Sequence, residues 1–437
     1  MRITLLDPKV RRTECVNRDF MAGYGWAFHV GKSPLARLIE LVKKRGEKLP
    51  LMSFGYLAAV LHANGHEVRV SSEEFADADL VILPSSMVEY SNEIEWATRI
   101  KQQGINVGFV GPFATARPDL FLPHCDFVIS GEPEEAAMRI SESWLPEGVV
   151  VSKPIVKVDE LPFPKWDLFP IESYSYLPAL KERPFLPILS GRGCYYTCDY
   201  CPYKDFYQWR MRSVDNVMAE IEHLVDKFGV RAMLFRDPIF SAPKQRAREI
   251  SEEFIKRNIR LRWACETRLD LLDEELLEVM YEAGLRVVNV GVESSSDTIL
   301  RNVKRRPITV DHQEAMIRYC DKLGIRVTAF YVLGLDGDTP ETIADTVRYA
   351  KKLNTHAALF FINTPFPGTP PFDKVKDRLL TKTWEQFDCY TPVVRHDHLS
   401  PQQLSKLKEK AFLSYYYRPR YAVSFLRRVF RDLLDPL

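Results

Sequence analysis

The sequence has no apolar run long enough to cross a bilayer. Its opening stretch, MRITLLDPKVRRTECVNRDF, breaks a short apolar run at Asp7 and Pro8, which is not the pattern of a secretory signal. Charge of one sign is not in excess either. The 60 lysines and arginines face 59 aspartates and glutamates, a net charge of +1. A chain this close to neutral has no strong field to draw in nucleic acid, so no nucleic-acid partner is expected. There is no low-complexity tract and no long repeat beyond βα units. What remains is an ordinary globular chain of 437 residues, 46% hydrophobic, long enough for two or three domains with sizeable cores. The expected compartment is the cytoplasm, where thiols stay reduced. Five of the eight cysteines (Cys15, Cys125, Cys265, Cys320 and Cys389) are scattered without a pairing pattern and read first as small buried hydrophobes.

What is present is alternation of strands and helices. Residues 1–150 carry short apolar runs such as ADLVILPSS and NVGFVGP, separated by amphipathic stretches that stop at Gly65 and Gly104. This predicts a doubly wound, flavodoxin-like parallel sheet, whose ligands bind at the carboxyl ends of strands. Those ends include Ser85, Ser86, Gly111, Pro112, Gly131 and Glu132. Residues 151–184 are rich in proline and aromatics and read as an ordered linker. A second series over 185–371 holds six βα units, which predicts a (βα)6 partial TIM barrel with its functional end at the carboxyl ends of its strands. Residues 372–437 read as a small helical C-terminal region. The fold class is therefore α/β throughout, with a helical tail.

The stretch LSGRGCYYTCDYCPY, residues 189–203, sets Cys194, Cys198 and Cys201 as C-x3-C-x2-C directly after the first barrel strand. An odd count in a reduced compartment weighs against disulfides. A structural zinc site normally takes four nitrogen or sulfur ligands, and the nearest histidine, His223, falls in a helix. Three thiolates suit a [4Fe–4S] cluster with one iron left free of protein ligand and open to a small molecule. Clusters that only carry electrons mostly have four cysteines.

With Tyr200 before the third cysteine, this motif resembles the signature of the radical S-adenosylmethionine (SAM) superfamily. The resemblance implies that the free iron chelates the amino and carboxylate groups of SAM. One electron from the reduced cluster then cleaves the S–C5′ bond, and the 5′-deoxyadenosyl radical removes hydrogen from an unactivated position. It implies an electron donor such as flavodoxin or ferredoxin. It also marks a SAM site. Tyr200 and Glu293 would position SAM, the latter through the ribose hydroxyls with Ser294 beside it. Gly334 would let backbone approach the adenine. Arg268 would meet a carboxylate, or else pair with Asp270 or Glu293. The strand ends Arg236–Asp237 and Cys265–Glu266 supply the catalytic or substrate-lining candidates Asp237, Cys265 and Glu266. Pro365, Pro367, Gly368 and Thr369 resemble the family's turn after strand six, read as mainly structural.

The N-terminal domain and the linker LPFPKWDLFP resemble the cobalamin-binding (B12) subclass, over roughly the whole chain from residue 50. This implies cobalamin, held along Ser85, Ser86, Gly111, Pro112, Gly131 and Glu132. Two positions depart from the subclass pattern. The Asp-x-His-x-x-Gly motif is missing, so no histidine is expected below the cobalt. Pro112 and Ala114 stand where the second glycine and the histidine of GG-x-H-x-T usually do. The methylthiotransferase branch needs a second cluster, and only Cys15 and Cys125 lie in this domain. Residues 9–49 include GWAFHVGKS, a near miss to a phosphate loop with one residue too many. They read as a glycine-rich lid or as a plain loop.

These readings converge on a cobalamin-dependent radical SAM enzyme, a C-methyltransferase acting on an unactivated carbon of a small molecule or lipid. The alternatives are a radical cyclase or rearrangement enzyme that uses cobalamin without methyl transfer, and a non-enzymatic iron–sulfur redox or sensor protein. The basic, apolar RPRYAVSFLRRVFRDLL near the C-terminus either touches a membrane surface or packs on the barrel.

Overall fold

The computed structural model describes residues 1–434, with side chains through Arg431. The first sheet contains β1 (Arg2–Leu6), β2 (Glu67–Ser71), β3 (Leu80–Pro84), β4 (Asn106–Val110), β5 (Phe127–Ser130) and β6 (Gly148–Val151), all parallel, in the spatial order 2-1-3-4-5-6. This is the flavodoxin-like winding, with its switch point between β1 and β3. Every residue of β3 is buried, as a strand covered by helices on both faces requires. Gly108 is needed in β4, because a Cβ there would lie 2.2 Å from the ring of Phe127 on the neighbouring strand. The sixth strand, Gly148–Val151, falls across the boundary expected at residue 150 and pairs with β5.

The second sheet is β7 (Phe185–Ile188), β8 (Ala232–Phe235), β9 (Arg262–Thr267), β10 (Leu285–Glu293), β11 (Arg326–Leu333) and β12 (Ala357–Ile362). Its strands are parallel and run in sequence order, so the barrel is open between β7 and β12. Side chains alternate across each strand. In β9, Trp263 and Cys265 pack into the large core shared with the helices, while Ala264 falls in a separate small cluster with β7 and β8 residues.

Segment 151–184 is pinned at several points. Trp166 is fully buried against Gly55, and Ser175–Tyr176 pair antiparallel with Glu47–Lys48. The C-terminal region forms helices at Pro401–Tyr416 and Pro419–Leu434. Tyr415, Tyr416 and Tyr421 donate to the carbonyls of Thr355, Ala358 and His356 at the start of β12. The basic tail helix thus packs on the barrel along one face.

Residues 9–49 are neither lid nor plain loop. Cys15–Asn17 and Trp26–Phe28 form a hairpin, followed by a helix at Pro34–Gly46 whose Ser33 hydroxyl accepts from the Ala36 amide. Phe20 stacks on Phe361 of β12, and Trp26 meets Phe361 and Tyr390 at ring distances of 5.7 and 5.6 Å. The segment plugs the β11–β12 side of the barrel. Trp26→Ala is therefore expected to cost about 3–5 kcal/mol, the range for truncating a buried aromatic. Denaturant unfolding checks this. A loss below about 1 kcal/mol, ordinary for an exposed position, would restore the lid reading.

Candidate functional site: a cysteine loop facing two chambers

The cysteine loop leaves β7 through Gly191–Arg192, which pair antiparallel with Arg210–Met211 on its return. Gly193 has φ +76°, and a Cβ there would lie 2.5 Å from the Tyr207 carbonyl oxygen, so only glycine opens the loop. Both stems are tied to the first domain. Arg192 Nη1 lies 2.6 Å from Glu132 Oε2 and its Nη2 2.6 Å from Glu134 Oε1, while Arg210 reaches the other oxygen of Glu132. All four side chains are largely buried.

Cys194, Cys198 and Cys201 are free thiols on this loop. Burial pushes the Cys194 thiol up to about 11 and the Cys201 thiol well above its ordinary value. Iron would stabilise the thiolates that burial disfavours. Among the described residues, no three His, Cys, Asp or Glu side chains converge on a single ion. A cubane cluster does not ask for that, since each thiolate takes its own iron corner. The donor set of three cysteines therefore fits a cluster with one open iron.

Beside the loop, Tyr200, Glu293 and Arg305 form one buried unit. Arg305 Nη1 donates to the Tyr200 hydroxyl at 2.9 Å and lies 3.6 Å from Glu293 Oε1. The Tyr200 hydroxyl bonds the Glu293 carboxylate, and Arg305 also bonds Cys198. Burial raises the Glu293 carboxyl above the ordinary carboxylate range. Glu293 has φ +66°, beside a register shift between β10 and β11. A non-glycine residue held in that region stores strain, a frequent property of ligand-binding positions. Arg305 escaped sequence reasoning. Its one signal was the Arg305–Arg306 pair, in the loop after the helix Asp297–Asn302 that follows β10.

Arg268 forks onto Asp270 at 2.9 and 3.0 Å and stacks over Tyr196 at 4.3 Å. Its Nη1 is buried without a partner, a donor position that suits a ligand carboxylate. Gly334, at φ +77°, is pinned by Asp338, which accepts from the Gly334 and Leu335 amides. It lines a chamber of about 1240 Å³ together with Tyr200, Cys201 and Thr364. Ser294 is engaged elsewhere, meeting Thr346 at 3.3 Å and accepting from the Ser296 amide. Gly368 packs on Ala116, so the Pro-x-Pro-Gly-Thr turn braces one domain on the other.

On the other side of the loop lies a chamber of about 960 Å³. Ser85, Ser86, Gly111, Pro112, Gly131 and Glu132 all line it, opposite Gly191, Arg192 and Gly193. Ser85 Oγ accepts from the Ala114 amide, and Ser86 donates to Glu93, so these serines shape the floor. Gly111 and Gly131 have φ +120° and +98°, and their missing Cβ atoms keep that floor open. No histidine lines the chamber. Pro112 supports the loop that carries Gly23, whose Cβ would lie 3.0 Å from the proline ring. A glycine-floored chamber without an imidazole fits a corrin that takes no histidine from below.

Of the catalytic candidates, only Glu266 faces the barrel interior. It pairs with Arg236, and burial raises its carboxyl. Cys265 is a core thiol packed under the helices, because the strand's alternation turns it the other way. Asp237 is spent on Ser190, accepting from its amide at 2.9 Å and its hydroxyl at 2.8 Å. Cys265 and Asp237 are corrected to structural positions.

Residues 188–350 match the family model of the radical SAM superfamily. The match takes in the cysteine loop and β8 to β11. A segment of that family implies a [4Fe–4S] cluster and SAM at the cysteine loop, and an enzyme. An uncharacterised methyltransferase of Pyrococcus horikoshii is 29% identical, the match covering 74% of this chain and 77% of that protein. The anaerobic magnesium-protoporphyrin IX monomethyl ester cyclase of Rubrivivax gelatinosus is 29% identical over 62% of this chain, which spans about half (51%) of the cyclase. In fold, the chain is similar to the radical SAM methyltransferase TsrM of Kitasatospora setae, solved with cobalamin and a [4Fe–4S] cluster, at a TM-score of 0.61 and 20% identity over 76% of this chain and 75% of that one. Among the described residues no helix is long and apolar enough to cross a membrane.

If Glu293 meets SAM, Glu293→Gln should weaken SAM binding by about tenfold, the worth of one charge-assisted hydrogen bond. Calorimetric titration of cluster-loaded protein measures this, with iron content as the control. Unchanged affinity would leave Glu293 a purely structural partner of Arg305.

Proposed function

We propose that the protein is a cobalamin-dependent radical SAM C-methyltransferase acting on an unactivated carbon of a small molecule. One observation carries this reading: the loop of Cys194, Cys198 and Cys201 is clamped between a SAM-type wall and a glycine-floored chamber on the flavodoxin-like domain. The bound groups would supply radical generation and a methyl carrier.

The chain's own residues bind, orient and exclude water. The three cysteines hold the cluster. Tyr200, Glu293 and Arg305 form a fixed acceptor and donor wall for SAM, and Arg268 presents its free Nη1 to the SAM carboxylate. Ser85, Ser86, Gly111, Pro112, Gly131 and Glu132 support the corrin. Glu266 and Arg236 close the barrel side, where the substrate's reacting carbon would sit. An electron donor of the flavodoxin or ferredoxin type would meet the cluster in a reducing cytoplasm.

The similarity to a cyclase keeps a second reading alive, in which cobalamin serves without methyl transfer. The test is anaerobic purification after growth with cobalamin, followed by incubation with methyl-labelled SAM and a reductant. The expected outcome is a corrin band beside the iron–sulfur absorbance, with label passing to bound corrin. A corrin band with 5′-deoxyadenosine but no label transfer would select the cyclase-type reading. Absence of any corrin band would remove both.

A further inference from the structure

A third cavity, of about 1410 Å³, is not used by the cluster, SAM or corrin walls. Its deep end holds Arg236, Glu266 and Asn289. Arg236 also lines the corrin-side chamber, so this cavity ends at the reaction site. Its walls are apolar: Phe20, Trp26, Phe330 and Leu359. It opens where lining residues become exposed, at Leu38 and Val42 of the Pro34–Gly46 helix and at Tyr417 before the tail helix.

That mouth is the most apolar exposed region of the described surface. Of twenty exposed large apolar side chains, Leu38, Val42 and Tyr417 line it, Leu35 and Leu41 lie beside them on the Pro34–Gly46 helix, and Val423, Leu426 and Phe430 lie on the outward face of the tail helix, whose Tyr421 and Phe425 line the cavity. Val423, Leu426 and Phe430 are 68%, 55% and 64% exposed. They share one stripe of the tail helix, while Tyr421 and Arg428 on its other face are buried against the barrel. Both helices are cationic. On the first helix Arg37, Lys44 and Arg45 are exposed, and on the second Arg420 and Arg427, while Arg428 and Arg431 pair with Asp321. An apolar stripe flanked by cations complements an anionic bilayer surface.

We infer that the substrate is a lipid, taken from an anionic membrane surface through this mouth, with an apolar body and a hydrogen-bond-donating group at its deep end. The Oδ1 of Asn289 lines the deep end and is buried without a partner, so it would accept from a hydroxyl or amine of the lipid. A protein occupant would cover the stripes but would leave an apolar cavity that ends at Arg236 and Glu266 without use. The inference rests on the reading of the barrel as the reaction site.

The test uses the full-length, cluster-loaded protein, without turnover. It should co-sediment with vesicles containing phosphatidylglycerol and far less with phosphatidylcholine alone, with binding falling as salt rises. Leu426→Glu with Phe430→Glu, and separately Leu38→Glu with Val42→Glu, should weaken vesicle binding by at least ~10-fold. These positions are exposed, so the thermal midpoint and iron content should hold. Ala357→Trp, inside the cavity, should abolish binding of a fluorescent long-chain alcohol while vesicle binding persists. No preference for anionic vesicles, or variants that bind as well as the parent, would overturn membrane docking. Oligomers that the same variants dissolve would make the surface a protein interface instead. Alcohol binding that survives Ala357→Trp would overturn the cavity assignment. Neither assay needs SAM cleavage, so failure here leaves the methyl-label test standing, and failure there leaves this one intact.

Discussion

The two stems of the cysteine loop, Arg192 and Arg210, grip the same carboxylate, Glu132, and Arg192 also takes Glu134. The rest of the site depends on that bridge. Moving these ions out of water is expensive, and a well-packed apolar contact of the same size would be as stable or more so. Apolar contact is non-directional, however, whereas a guanidinium fork fixes distance and angle to a carboxylate. The bridge therefore sets where the cysteines stand relative to the flavodoxin-like sheet. Arg192 lies two residues before Cys194, and Glu132 directly follows Gly131 on the chamber floor. A shift of either domain would separate the two chambers that the loop divides.

How much of this was legible follows from where the determinants lie along the chain. The sheets were readable because each strand is a local apolar run and each helix a local stripe, as in LVILP over Leu80–Pro84. The cysteine triplet was readable for the same reason, since all three ligands lie within eight residues. The six floor positions were readable because a doubly wound sheet places strand ends together. Arg305 was not, because its role depends on a loop closing over Tyr200, which lies 105 residues earlier in the chain. Cys265 was misjudged because residues along a strand point alternately in and out, and one-residue phase is invisible without a register, and Asp237 because its partner Ser190 lies 47 residues away.

Residues 9–49 were illegible for a different reason. Their strands are three residues long and show no period, and their aromatics find partners far along the chain, on β11, β12 and the C-terminal region and, through Tyr24, on Phe113 and Phe206. Local propensity says little about such a segment, because its stability comes from tertiary packing. The strain in its turn makes the same point. Met21 and Ala22 have φ +50° and +59°, and Ala22 and Gly23 line the glycine-floored chamber. Non-glycine residues hold that conformation only where the surroundings over-determine it. The plug is thus fixed from both sides, by the barrel's aromatics and by Pro112 under Gly23.

Pro112 then has a consequence for the departure from the cobalamin subclass. At the position where glycine is usual, a proline ring supports the turn of the plug, and Ala114 lies fully buried behind it. The substitution trades backbone freedom in the floor for a contact between the flavodoxin-like domain and the segment that also walls the apolar cavity. Arg236 sits at the same junction, over the ring of Phe20 and paired with Glu266. One face of this partition is polar and looks toward the cysteine loop, and the other is apolar and looks toward the tail helix. A buried ion pair costs desolvation at such a place. What it provides is a boundary: Arg236 lines both chambers, a fixed polar end shared by the two.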